Sequence, residues 1–218
     1  MPLKSSIDSK NFRGGGLNNF NNNTLIIWQI IGSNVSKNEM LMTGNIKLFG
    51  HLFTHAVQTK MLENFKNYLD FEINKNSLIK ITNYPCWFIE GQSDYHTLKL
   101  LDGDFNEHRN NYLTSAYVPV GWREKIKSFN TEEWKNLLIK DYPFEGIPIT
   151  HQYWSGFFIY EYLIKLYGID LIMEVMLDFL KTMDFNKSME KILKINIESF
   201  YDTISIMLFN LAKMVKSG

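Results

Sequence analysis

A carboxylate set inside an apolar helical turn constrains this chain more than any other feature. The segment Pro85-Cys86-Trp87-Phe88-Ile89-Glu90-Gly91-Gln92-Ser93-Asp94-Tyr95 opens on a proline, whose fixed φ suits the first turn of a helix, with Asn83 or Tyr84 near the cap position. The helix is expected to run through Trp87, Glu90 and Tyr95 to about Leu101, where Asp102-Gly103-Asp104 ends it. Glu90 stands among Trp, Phe and Ile, so folding buries it, and a buried carboxylate without a partner is costly. It needs a cation or strong donors.

A second segment offers a source for that cation. In Gly50-His51-Leu52-Phe53-Thr54-His55-Ala56-Val57-Gln58, two histidines stand at i and i+4. On a helix this spacing projects neighbouring imidazoles that can bind one tetrahedral metal ion. The pair alone is a weak signal, and its plain alternative is one partly buried histidine bonded to backbone and one solvated. Zinc held by two neutral imidazoles would supply the charge that Glu90 requires, and the small Gly91 would let the two helices approach closely. In a zinc peptidase the residue after the first histidine is a glutamate that takes a proton from the metal's water. That position is Leu52 here, and leucine accepts no proton.

The two segments together resemble the gluzincin metallopeptidases, the broad peptidase MA-like bacterial domains and the plant-type basic secretory proteins among them. His51-x-x-x-His55-Ala-Val-Gln is similar to the HExxH helix of that clan, and Pro85-x-Trp87-x-x-Glu90-Gly91-x-x-Asp94-Tyr95 to its W-x-x-E-G-x-x-D-Y helix. The resemblance implies one zinc ion on His51, His55 and Glu90, with Asp94 orienting a ligand histidine from behind; Asp94 as an ordinary helix-surface acid is the alternative. The spacer of 34 residues between His55 and Glu90 is longer than in the best-known aminopeptidases of the clan, which tolerates such insertions. Tyr153-Trp154-Ser155-Gly156-Phe157-Phe158, followed by Tyr167-Gly168, is similar to a downstream pattern whose tyrosine stabilises the tetrahedral oxyanion. Tyr153 would inherit that role or serve as a packing residue. His96, His108 and His151 have no partner at metal-ligand spacing and read as surface or packing histidines.

Around these motifs the chain is organised simply. Its 218 residues suit a single domain, with the sheet and metal-site helices over 24–103 and a mostly helical subdomain over 104–218. Residues 1–23 read as a polar flexible arm whose Gly14-Gly15-Gly16 lacks the lysine of a phosphate loop. Thr24–Gly32 reads as a strand, and Asn34–Met42 as a turn and a short second strand. From Thr43 to Tyr68 the pattern is helical. Phe49, Phe53, Val57 and Met61 fall four apart in one apolar stripe, and the two histidines share an adjacent face. Helices are expected near Thr131–Lys140, Trp154–Tyr167, Asp170–Met183, Phe185–Lys194 and Ile197–Val215, with Gly168 stopping the second of them. The expected fold class is therefore α+β: a small N-terminal β-sheet, a zincin-like active-site helix pair and a C-terminal helical region.

Composition removes several functions. Lys+Arg and Asp+Glu both number 23, and no basic stripe is interleaved with aromatics, so nucleic acid is not the expected partner. A single cysteine, Cys86, excludes an internal disulfide and a cysteine-rich zinc cluster, and leaves the compartment open. No apolar run suits a signal peptide or a membrane span, so the chain as written is expected to be soluble, and its abrupt polar start is compatible with a missing upstream part.

Three functional readings follow. The first is a zinc-binding pseudopeptidase whose cleft holds a peptide or protein, impaired because Leu52 replaces the base. The second is a working peptide hydrolase with a relocated base. The third is a metal-free interaction domain.

Overall fold

A computed structural model of the chain describes residues 15–19, 24–28, 50–51, 53–54, 57–58, 85–100, 105–113, 120–140 and 150–215. Among the described residues the continuous helices are α1 (Cys86–Leu100), α2 (Phe105–Leu113), α3 (Val120–Ser128), α4 (Thr131–Ile139), α5 (Thr150–Thr182), α6 (Phe185–Leu193) and α7 (Ile197–Met214). Residues 50, 51, 53, 54, 57 and 58 are helical as well, in the stretch where the histidine helix was expected.

The architecture is helical, which corrects the α+β expectation. Thr24–Trp28 is extended as expected, but its partner is Gly15–Asn19, drawn from the stretch read as an arm. The two run antiparallel, with Gly15 opposite Trp28 and Asn19 opposite Thr24. No third strand joins them among the described residues. A ribbon of two strands has too little face to form a layer, and helices make the core instead. The proposed strand over Asn34–Met42 lies outside the described residues.

The core is built on α1 and α5. Trp87, Phe88, Leu98, Trp154, Phe157, Phe158, Tyr160 and Leu163 are all buried at this crossing. The two helices touch backbone to backbone: a Cβ on Gly91 would stand 2.1 Å from the Gly156 carbonyl oxygen, and one on Gly156 2.1 Å from that of Trp87. Gly91 thus abuts α5, where sequence reasoning had it admitting the histidine helix. Close approach of this kind needs a residue without a side chain on each helix. Phe88 and Phe185 lie 4.6 Å apart ring to ring, and Trp134 stacks on Trp154 at 5.7 Å, so α6 and α4 join the same aromatic core.

Other boundaries follow local chemistry. Asn130 caps α4, in a capping box with Glu133. Gly168, at φ 80°, breaks α5 where the sequence placed a stop. Asp184 caps α6 and Asn196 caps α7. Helices α2 and α3 arise in a stretch that carries no strong periodic signal. Arg109 reaches back from α2 to the buried Glu161 of α5 at 2.9 Å. No described helix is long and apolar enough to cross a membrane.

Candidate metal centre

Helix α1 places three polar side chains on one face because Cys86, Glu90 and Asp94 follow each other at intervals of four. Glu90 is 6% exposed and Asp94 5%, so both carboxylates are out of water. His51, itself 9% exposed, stands between them. Its Nδ1 lies 2.8 Å from Asp94 Oδ1, and its Nε2 lies 3.3 Å from Glu90 Oε2. The histidine segment therefore turns its polar face inward. Phe53 and Val57, half of the apolar stripe read from sequence, are 53% and 43% exposed.

Tyr153 completes the arrangement from α5. Its ring centroid is 5.5 Å from that of His51, and its hydroxyl lies within the influence of the Glu90 carboxylate. The close contact of Gly91 with Gly156 explains this reach, since Glu90 precedes one glycine and Tyr153 stands three residues before the other. Burial, then the charges of Glu90 and Asp94, push the Tyr153 hydroxyl well above its ordinary range, so it remains a neutral donor at physiological pH. On His51, burial works to lower the pKa, but the hydrogen bonds and charges of Asp94 and Glu90 outweigh it and raise the value to about 9.

The described donors suit a zinc ion in one specific respect. Two ligands at about 2.0–2.1 Å from a tetrahedral ion stand about 3.3 Å apart, the type of separation that zinc–nitrogen and zinc–oxygen bonds require. The His51 Nε2 to Glu90 Oε2 distance is 3.3 Å. Asp94 on the opposite ring nitrogen fixes the tautomer that leaves Nε2 available as a ligand. Among the described residues no three His, Cys, Asp or Glu side chains converge as a metal cluster. Asp94 and Glu90 sit on opposite sides of the imidazole, and His55, the remaining expected ligand, lies outside the described residues, as does Leu52.

Sequence reasoning thus named four side chains that the fold gathers: His51, Glu90, Asp94 and Tyr153. It gave no role to Gln58 and Ser93, which lie against them. Gln58 is two helical turns after His51, on the same face, and donates to the Ile89 carbonyl at 3.1 Å and to Gln92 Oε1 at 2.7 Å. Ser93 donates to the His51 carbonyl at 2.6 Å. The signal for Gln58 was its place at i+7 from a buried histidine. Ser93 carried none. His96, read as a packing histidine, is partly buried and bonds the Tyr160 hydroxyl at 3.0 Å; the side chains of His108 and His151 lie outside the described residues. Comparison with protein-family models, with curated proteins and with solved structures finds no match for this chain.

Proposed function

We propose that this protein is a zinc-metallopeptidase-like domain that binds one metal ion through His51, His55 and Glu90 and is catalytically impaired because Leu52 stands where a general base is needed. The observation that supports it most is the placement of Glu90 at 3.3 Å from His51 Nε2 while Asp94 holds the other ring nitrogen. Bound zinc would supply Lewis-acid polarisation of a carbonyl and a more acidic water. Tyr153 is a neutral hydroxyl aimed at the same carboxylate, suited to donate to an oxygen that gains charge. Leucine at position 52 removes the proton acceptor, a loss worth about a hundred- to ten-thousand-fold in rate. The partner that such a cleft suits is an extended peptide or protein segment, held more than cut.

Metal content of the purified protein after extensive dialysis tests this directly. About one zinc per chain is expected, lost in His51→Ala, His55→Ala and Glu90→Gln, as for a three-ligand site. No zinc in the folded wild type, even after zinc is supplied, would sink the reading. In a zinc-loaded Leu52→Glu variant, cleavage of generic peptides is expected to appear. Chelator-sensitive cleavage by the wild type would point instead to a relocated base.

One observation favours a second reading. A charged imidazolium bridging Asp94 and Glu90, consistent with the His51 pKa of about 9, would satisfy all three groups without metal. On that reading the cluster is a buried ionic tie and the function lies on the surface. Wild-type protein that is folded, metal-free and indifferent to added zinc would establish it.

A further inference from the structure

We propose that Ser93 and Gln58 are positioning residues of the metal centre, forming a reciprocal clamp that sets the spacing of its two ligand-bearing turns. The inference rests on the metal-binding reading and concerns residues outside its ligand set. Ser93 lies on α1, and its hydroxyl crosses to the backbone carbonyl of His51 at 2.6 Å. Gln58 lies on the histidine segment, and its amide crosses the other way to the carbonyl of Ile89, the residue before Glu90, at 3.1 Å. Each element thus grips the partner's backbone at or beside the ligand.

Both donors are out of water, Ser93 at 0% exposure and Gln58 at 5%, so neither bond is exchanged with solvent. A carbonyl oxygen has two lone pairs, and one that serves a helix can accept a second bond from a neighbouring element. The orientation of Gln58 is fixed by chemistry, because the Ile89 carbonyl can only accept and must face the amide nitrogen. Its other amide bond, to Gln92 Oε1 at 2.7 Å, carries the clamp further. One turn beyond Gln92, His96 bonds the Tyr160 hydroxyl at 3.0 Å, so the helix that carries Ser93 is tied to α5, the helix that also presents Tyr153. A site whose ligands must stand 3.3 Å apart before the metal arrives gains from such preorganisation, since a misplacement well under an ångström already weakens a coordination sphere.

The test compares Ser93→Ala and Gln58→Met with Thr54→Ala. Thr54 also donates a side-chain hydrogen bond to a backbone carbonyl, that of Gly50 at 3.0 Å, but within its own helical segment and not across the clamp. Three quantities are measured on each protein: Zn²⁺ affinity by chelator competition, the visible spectrum of the Co²⁺-substituted form, and urea stability of the metal-free form. Ser93→Ala and Gln58→Met are each expected to lose about 10- to 100-fold in affinity, the range seen when outer-sphere partners are removed. Their Co²⁺ bands should shift, and Ser93→Thr should recover part of the loss. Thr54→Ala should leave affinity and spectrum unchanged. Wild-type affinity and spectrum in both clamp variants, whatever their stability, would overturn the clamp and leave the metal site standing. A folded wild type that takes up neither ion would remove both. Should Ser93→Ala not fold, Gln58→Met decides the question by the same readouts.

Discussion

Helix α1 and the pair α6–α7 solve the problem of burial in opposite ways. Along α1 nearly every described side chain is buried, and Glu90, Gln92, Ser93, Asp94 and Thr97 go into the core beside Trp87, Phe88, Ile89 and Leu98. Glu90, Gln92, Ser93 and Asp94 survive burial because each meets a partner on another element, His51, Gln58 or a backbone carbonyl, whereas the buried Thr97 hydroxyl has no hydrogen-bond partner among the described residues. Helices α6 and α7 bury one stripe only. Phe185, Met189 and Leu193 stand four apart on α6, as do Ile204, Leu208 and Ala212 on α7, and Asp184 and Asn196 cap their first turns. The first region is held by specific, long-range pairings and the second by pattern and caps. A region of the first kind can build a reactive site, and it is unforgiving of change.

The sharpest way to break that contrast is at the glycine contact. Gly91→Ala places a methyl 2.1 Å from a backbone oxygen of α5, which no rotamer can relieve, so the two helices must part. A loss of about 3 kcal/mol or more is expected in urea unfolding, at the upper end of overpacking effects. Asp184→Ala, which removes only the cap of α6, should cost about 1 kcal/mol. If the two variants were equally stable, the α1–α5 crossing would not be the rigid frame of the site.

A smaller effect separates the regions by pH. In metal-free protein the folded-state pKa of His51 is about 9, against 6.5 for the unfolded chain. The folded state binds the proton more tightly, so this contribution is full below pH 6.5 and is lost as pH rises through 9. Between neutral pH and about pH 9.5 the metal-free protein should lose roughly 2 kcal/mol, from a shift worth about 1.4 kcal/mol per unit. Asp94→Asn should flatten that limb. A stability that does not fall across this range would mean that the imidazole is neutral in the fold, as a ligand histidine is.

The same contrast decides what is legible in the sequence alone. Caps and stripes are local, and the ends of α4, α6 and α7 fell within a residue or two of their expected places, as did the break at Gly168. The gathering of His51, Glu90, Asp94 and Tyr153 was legible because the cost of burying Glu90 demanded a partner, and a resemblance named one. What escaped depends on tertiary choices. The strand at Thr24–Trp28 was recognised, but whether strands make a layer is a matter of how many join, and here only Gly15–Asn19 does so among the described residues. The outward turn of Phe53 and Val57 runs against their hydropathy, because His51 and Gln58 on the other side have hydrogen bonds to make with α1. The part of Ser93 depends on an interhelical distance that no sequence pattern contains.

The smallest expected effect lies in the patterned region and has the opposite sign in pH. Asp178 of α5 is bonded by Lys191 and by Ser188 of α6, the latter at 3.0 Å, and Lys191 first among its neighbours holds its carboxyl below the usual range. A depressed carboxylate contributes stability above its unfolded pKa and loses it as pH falls through the folded one, so this tie weakens on the acid side. Lys191 is 61% exposed along its side chain, so water screens the pair and its worth is under about 1 kcal/mol. Asp178→Asn should therefore trim stability slightly at neutral pH, leave it unchanged in acid, and leave the alkaline loss from His51 intact. Urea midpoints measured across the pH range for both Asp178→Asn and Asp94→Asn would show whether the two regions titrate independently. An alkaline limb that moved with Asp178→Asn would mean that the site and the α5–α6 junction are coupled through α5, whose break at Gly168 separates Tyr153 from Asp178.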